Sequence, residues 1–157
     1  MPQIVVVEEF GQFDTARELF REYRESIEDE TCFDGFEAEL RGLPDHYAPP
    51  RGVILLAELE GRFVGCVGAQ PLEDTICEVR RLYVRPEAQG AGLGRQLLGD
   101  LIEWARSTGY QRMRLDTLPD MAPAQALYRS LGFQEIERYN DTDAPGVVFM
   151  ELRVSPT

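Results

Sequence analysis

The stretch Arg85-Pro86-Glu87-Ala88-Gln89-Gly90-Ala91-Gly92-Leu93-Gly94-Arg95 stands between a predicted strand and a predicted helix. Its glycines let the backbone approach a ligand closely, and a helix start offers unpaired N–H groups at the positive end of the helix dipole. That combination suits a pyrophosphate, to which Arg85 and Arg95 could add charge. It is not the dinucleotide-binding spacing, whose third glycine would fall at position 95, and no Gly-Lys-Ser/Thr follows as in a nucleoside-triphosphate loop. The plain alternative is a turn that only permits tight strand-to-helix packing. On the preceding strand, alternation puts Glu78 and Arg80 on one face, so Glu78 reads either as a general base or as the ion-pair partner of Arg80. Arg80 and Arg81 could read a carboxylate or phosphate. Tyr128, with Ala124, Leu127 and Leu131 nearby, reads on spacing alone as core packing. Cys77 lacks a His or Asn context for nucleophilic work and reads as a half-buried structural thiol.

These residues need a scaffold, and the hydrophobic pattern supplies one. Gln3 to Glu8 reads as a strand. Asp14 can cap a helix through Ala16, Leu19, Phe20, Tyr23 and Ile27. Phe33, Phe36, Leu40 and Leu43 suggest a short helix ending before Pro44, with the acidic run Glu28-Asp29-Glu30 ahead of it and a loop from His46 to Pro50 behind. Residues 53–59, 63–69 and 77–84 then read as an antiparallel meander with turns at Glu60-Gly61 and near Glu73-Asp74. Leu97, Leu98, Leu101, Ile102 and Ala105 share one helix face that stops at Gly109. A strand over 112–117, a helix from Met121 to Leu131 capped by Asp120, and strands over 133–139 and 147–154 complete the chain. The order indicates an α+β or mixed α/β sheet with helices on its faces.

The chain has 157 residues, which fits one domain and a core that needs no staples. Its net charge of −12 repels a phosphate backbone, so general nucleic-acid binding is not expected. The charge is uneven: residues 1–75 carry 17 acids and 6 arginines, residues 76–157 carry 11 and 10, so the second half is the better host for an anion. All 16 basic residues are Arg. Three cysteines without a CxxC pair and one histidine form neither a disulfide framework nor a metal site, and fit a reducing cytoplasm. No leader pattern and no long apolar segment point to secretion or a membrane.

Two stretches together carry a family resemblance. Gln89-Gly90-Ala91-Gly92-Leu93-Gly94 meets each defining position of the loop that opens the cofactor helix in the Gcn5-related N-acetyltransferases (GNAT). Ala124-Gln125-Ala126-Leu127-Tyr128-Arg129-Ser130-Leu131-Gly132-Phe133 matches that family's second motif. The resemblance covers about residues 52–152. It implies a three-layer α+β fold with a central, mostly antiparallel mixed sheet, splayed at two parallel strands, here 77–84 and 112–117, flanked by helices. It implies that acetyl-CoA, with no metal, binds in that splay, its pyrophosphate on the backbone of Gln89, Gly90, Ala91, Gly92, Leu93, Gly94 and Arg95. The pantetheine arm would pair with Leu82, Tyr83 and Val84, and an N–H near Leu82 could stabilise the oxyanion.

The resemblance also turns Tyr128 from a packing residue into the acid that protonates the departing CoA thiolate, and likens Glu78 to a strand glutamate that serves as base. The implied reaction is direct acetyl transfer to a primary amine of a small molecule, with protein-lysine or N-terminal acetylation and a non-catalytic acyl-CoA-binding module as rivals. A nucleotide-binding αβ domain is a further rival, disfavoured by the loop spacing. An amino-acid-like acceptor would satisfy both the arginines and the 28–30 acids, since the latter fall where the family shapes its acceptor site. Met121 stands where relatives often have Asn, which removes one polar contact to the cofactor arm. Monomer and homodimer are both compatible with the last strands.

Overall fold

The computed structural model describes residues 2–27, 35–142 and 144–155. Its elements are β1 (Gln3–Val6), α1 (Phe10–Glu25), α2 (Phe36–Arg41), α3 (Leu43–His46), β2 (Val53–Leu59), β3 (Arg62–Glu73), β4 (Ile76–Val84), α4 (Leu93–Thr108), β5 (Arg112–Thr117), α5 (Ala122–Ser130), β6 (Gln134–Ile136) and β7 (Val148–Arg153). The strands form one sheet in the order β1-β2-β3-β4-β5-β7-β6. Only β4 and β5 pair in parallel; the other neighbours are antiparallel. This is the expected α+β architecture of a mixed sheet between two helical layers.

The layers follow from residue alternation. Along β2, Val53, Leu55 and Ala57 pack toward α4, while Ile54 and Leu56 pack toward α1, α2 and α3. A strand buried on both faces needs an unbroken apolar run, which this one has. The α4 layer buries Leu93, Leu97, Leu98, Leu101 and Ala105 to 1% exposure or less. Each such leucine contributes roughly 1.5–3 kcal/mol of burial. Gly109, at φ +103°, ends α4 by taking the left-handed conformation. The β2–β3 turn holds Glu60 and Gly61 both at positive φ, as a two-residue hairpin turn requires.

The boundaries of several elements differ from expectation. Asp14 does not cap α1: the helix starts earlier, where the Gln12 side chain accepts the N–H groups of Glu8 and Glu9 at 2.7 and 2.9 Å, and Asp14 instead pairs with Arg17. The short helix ends before Pro44 as expected, at Arg41, but Leu43 and Pro44 open a further turn, α3, where the missing N–H of Pro44 is not needed, so His46 closes a helical turn rather than opening a loop. Met121, not Asp120, precedes α5. The expected strand 133–139 shortens to β6, because the residues after Ile136 leave the sheet. Phe33, Cys32 and the run Glu28-Asp29-Glu30 lie outside the described residues. Among the described residues, no helix is long and apolar enough to cross a membrane.

Candidate active site

The parallel pair is short: Ile76, Cys77 and Glu78 face Arg112, Met113 and Arg114, and beyond them β4 and β5 part. A bulge on β4 accompanies the parting. Against β3 the register runs from Gly68↔Arg80 to Cys66↔Tyr83, so β4 carries one extra residue there. Arg81 sits at φ +61°, a left-handed conformation unusual for a long side chain. It is pinned from both sides of the backbone. Its guanidinium donates to Glu39 Oε1 and Oε2 at 2.7 and 3.1 Å, and its carbonyl accepts from the Cys66 thiol at 3.3 Å.

Glu39 comes from α2 and is itself buried. It also accepts from the Tyr47 hydroxyl at 2.9 Å and lies 3.5 Å from Arg80. Burial opposes its charge, but Arg81's hydrogen bonds and charge outweigh burial and hold the carboxyl below its usual range. Arg81 is therefore committed to Glu39. Arg80, 28% exposed, donates to Gln70 at 3.0 Å and lies 4.0 Å from Glu78.

At the splay lies a cavity of about 360 Å³. Glu78, Leu82 and Tyr128 line it, which brings together expected residues from β4 and α5. Glu78 Oε2 accepts from the Tyr139 hydroxyl at 2.7 Å and from Asn140 Nδ2 at 3.4 Å. Asn140 Nδ2 also donates to Asp116 Oδ2 at 2.8 Å, and Thr142 Oγ1 donates to the same oxygen at 3.0 Å. Segment 139–142 thus crosses the gap and ties β4 to β5. Sequence reading missed Asp116, Tyr139, Asn140 and Thr142; the polar run after β6 was the available signal. Burial, and then the Glu78 charge, raises the Tyr139 phenol far above its usual value.

Tyr128 is 6% exposed, with its ring 5.7 Å from that of Phe133. Its hydroxyl has no hydrogen-bond partner among the described residues. Burial pushes the phenol well above its ordinary range, so it carries its proton throughout the physiological range. Cys77 is fully buried and burial lifts its thiol to about 12; Cys66 is lifted further, also by burial. Neither offers a thiolate at neutral pH.

The glycine loop leaves β4 through a 3-10 turn at Pro86–Ala88, where Gln89 donates from Nε2 to Val84 O at 3.0 Å. Gly90 and Gly92 take φ +88° and +81°, and a Cβ on either would meet nothing within 4 Å. The first helical bond of α4 runs from Gln96 N–H to Gly92 O, so the N–H groups of Leu93, Gly94 and Arg95 have no intrahelical acceptor. The loop abuts the helix of Tyr128: a Cβ on Gly94 would lie 3.3 Å from Leu127, and Arg95 donates to Ser130 at 2.6 Å. Arg85 is engaged elsewhere, by Glu22 at 2.7 and 2.9 Å and Glu18 at 3.4 Å. Among the described residues no three metal-ligating side chains cluster.

The model of the acetyltransferase (GNAT) family matches residues 13–133. The chain belongs to the GNAT acetyltransferase family. It is an enzyme of the N-acetyltransferase class. A relative from Schizosaccharomyces pombe, described as an uncharacterized N-acetyltransferase, is 38% identical over 144 residues, which cover 90% of this chain and 88% of that one. A GNAT acetyltransferase from Staphylococcus aureus shares the fold at TM-score 0.78 and 19% identity, over 98% of this chain and 99% of that one. The Salmonella typhimurium protein yncA, solved with its cofactor acetyl-CoA, shares it at TM-score 0.75 and 22% identity, over 98% and 94%.

Proposed function

We propose that this enzyme moves an acetyl group from acetyl-CoA to a primary amine of a small molecule, directly, in a ternary complex. The observation that carries the reading is the parting of β4 from β5 beside Tyr128, which leaves the β5-facing edge of β4 without a strand partner. Leu82, Tyr83 and Val84 on that edge supply backbone groups for the amides of a pantetheine arm. The free N–H groups from Gly90 to Arg95, the open space outside Gly90 and Gly92, and the exposed Arg95 fit a pyrophosphate. Arg85, held by Glu22, plays no such part.

The amine is mainly ammonium at neutral pH and must lose a proton before attack. Glu78, acting through water, takes that proton. The amine nitrogen then bonds to the thioester carbonyl carbon, and an N–H near Leu82, aimed by the bulge, receives the developing oxyanion. The carbon–sulfur bond breaks, Tyr128 gives its proton to the departing thiolate, and the attacking nitrogen, which still carries two protons, returns one to the tyrosinate, leaving a neutral amide and CoA. A phenol raised by burial remains an effective donor here, because the same dry surroundings raise the proton affinity of the thiolate. The buried, unionised thiols of Cys66 and Cys77 support transfer without an acetyl-enzyme. The cavity of about 360 Å³ beside Tyr128 has room for a small acceptor. One sheet shared by both helical layers supports reading residues 1–157 as one domain, and free thiols fit a reducing cytoplasm.

Calorimetric titration with acetyl-CoA, with ATP and NAD as controls, tests the donor: selective one-to-one binding is expected, and its absence in folded protein removes the reading. Tyr128→Phe is expected to lower turnover about a hundredfold or more while the Kd for acetyl-CoA stays within about twofold. Unchanged turnover would remove the acid assignment.

A further inference from the structure

We propose that the acceptor is a cationic primary amine with an apolar body and no carboxylate, held by Asp116 together with Glu78; the inference rests on the acetyltransferase reading of the same cavity. The two carboxylates face one space from adjacent strands that have parted, and the Asn140 amide donates to both. Hydrogen bonds from the described residues fall on Oδ2 of Asp116 and Oε2 of Glu78 alone. Asp116 Oδ1 is left open, and Glu78 Oε1 has only Arg80, 4.0 Å away. Asp116 Oδ1 is thereby available to an ammonium, and Glu78 Oε1 is shared with Arg80.

The charge around the cavity points the same way. Asp141 adds a third carboxylate to the wall. The two arginines of the wall are already matched: Arg81 by Glu39 at 2.7 Å, and Arg80 between Glu39 and Glu78 at 3.5 and 4.0 Å. Four carboxylates therefore surround two guanidiniums, and this negative excess disfavours a ligand carboxylate. One further polar group marks the space as built for a ligand. The hydroxyl of Thr117, a residue of the wall, is buried and has no hydrogen-bond partner among the described residues. Hydroxyls this buried are ordinarily paired. The remaining wall includes Ile27, Leu118 and Met121, which suit an apolar body.

The test compares pentylamine with norleucine, which differ only by the α-carboxylate, at saturating acetyl-CoA. Pentylamine is expected to have kcat/KM at least about tenfold higher. Asp116→Asn should shrink that ratio to about threefold or less, with acetyl-CoA binding unchanged by calorimetry. Equal or better use of norleucine overturns the inference, as does a ratio that survives Asp116→Asn undiminished. Should neither amine turn over, calorimetry of pentylamine against the CoA-saturated protein decides: lack of binding overturns the inference as well. The wild-type comparison does not depend on any variant folding. Loss of acetyl-CoA binding itself would count against the proposed function, whereas intact acetyl-CoA binding with the wrong amine order counts against this inference alone.

Discussion

Glu39 shows how far a residue's role can lie from its local sequence. In the chain it is one acid in a short amphipathic helix; in the fold it meets Arg81, Arg80 and Tyr47 beneath the bulge of β4. A buried ion pair is costly to break, because removing one partner leaves the other charge dry and uncompensated. Glu39→Gln is therefore expected to destabilise the protein by about 3–5 kcal/mol in urea unfolding. The double variant Glu39→Met/Arg81→Met should recover most of that loss, since it removes both charges. A single-variant loss below about 1 kcal/mol would mean that the pair does not hold the bulge. Tyr128 is the opposite case. Its motif was readable in the chain, but its hydroxyl's isolation from every described acceptor was not, because that depends on which elements close around it.

At the scale of elements, the meander β2–β4, helix α4 and strand β5 follow local pattern closely. Alternation and turn glycines act within a few residues, so the chain itself displays them. The ends of α1, α3 and β6 do not follow it, because distant or competing groups decide them: the Gln12 side chain, the tolerance of Pro44 in a first turn, and the pull of Glu78 and Asp116 on segment 139–142. The packing of α3 against the sheet gives a sharp test. A Cβ on Gly68 of β3 would lie 2.6 Å from Tyr47 Cε1, and Tyr47 is 2% exposed. Gly68→Ala must push that ring aside and loosen its bond to Glu39, so a loss of about 1–3 kcal/mol is expected by thermal unfolding. Gly99→Ala, which meets nothing within 4 Å on helix α4, should instead be neutral or stabilising. Equal effects of the two would show that the Tyr47 contact does not constrain β3.

For the whole molecule, acid–base pairs tie α1 and α2 to β4 and the residue that follows it, and they shape its response to pH. Glu22 of α1 is held below the usual carboxylate range mainly by its hydrogen bond from Arg85, and Glu39 is held low by Arg81 against the opposing effect of burial. Depressed folded values mean that the unfolded chain takes up protons first on acidification. The stability these groups contribute is present above the unfolded value of 4.5 and is lost as pH falls through the lower folded values. Urea midpoints should thus hold between about pH 7 and 5 and fall below about 4.5, with a shallower acid limb in Glu39→Gln. Loss of net negative charge acts in the opposite sense but is nearly common to both proteins, so an unchanged limb in the variant would refute Glu39's part. By itself the sequence determined the family, the order of the strands and helices, the glycine loop and Tyr128, because periodicity, turn chemistry and motif spacing are properties of neighbouring residues. Only the tertiary structure decided that Arg81 is spent on Glu39, that Arg85 pairs with Glu22, and that Asp116 joins Glu78 through Asn140 across the splay. Those outcomes depend on pairings between residues dozens of positions apart, which burial selects and no local pattern records.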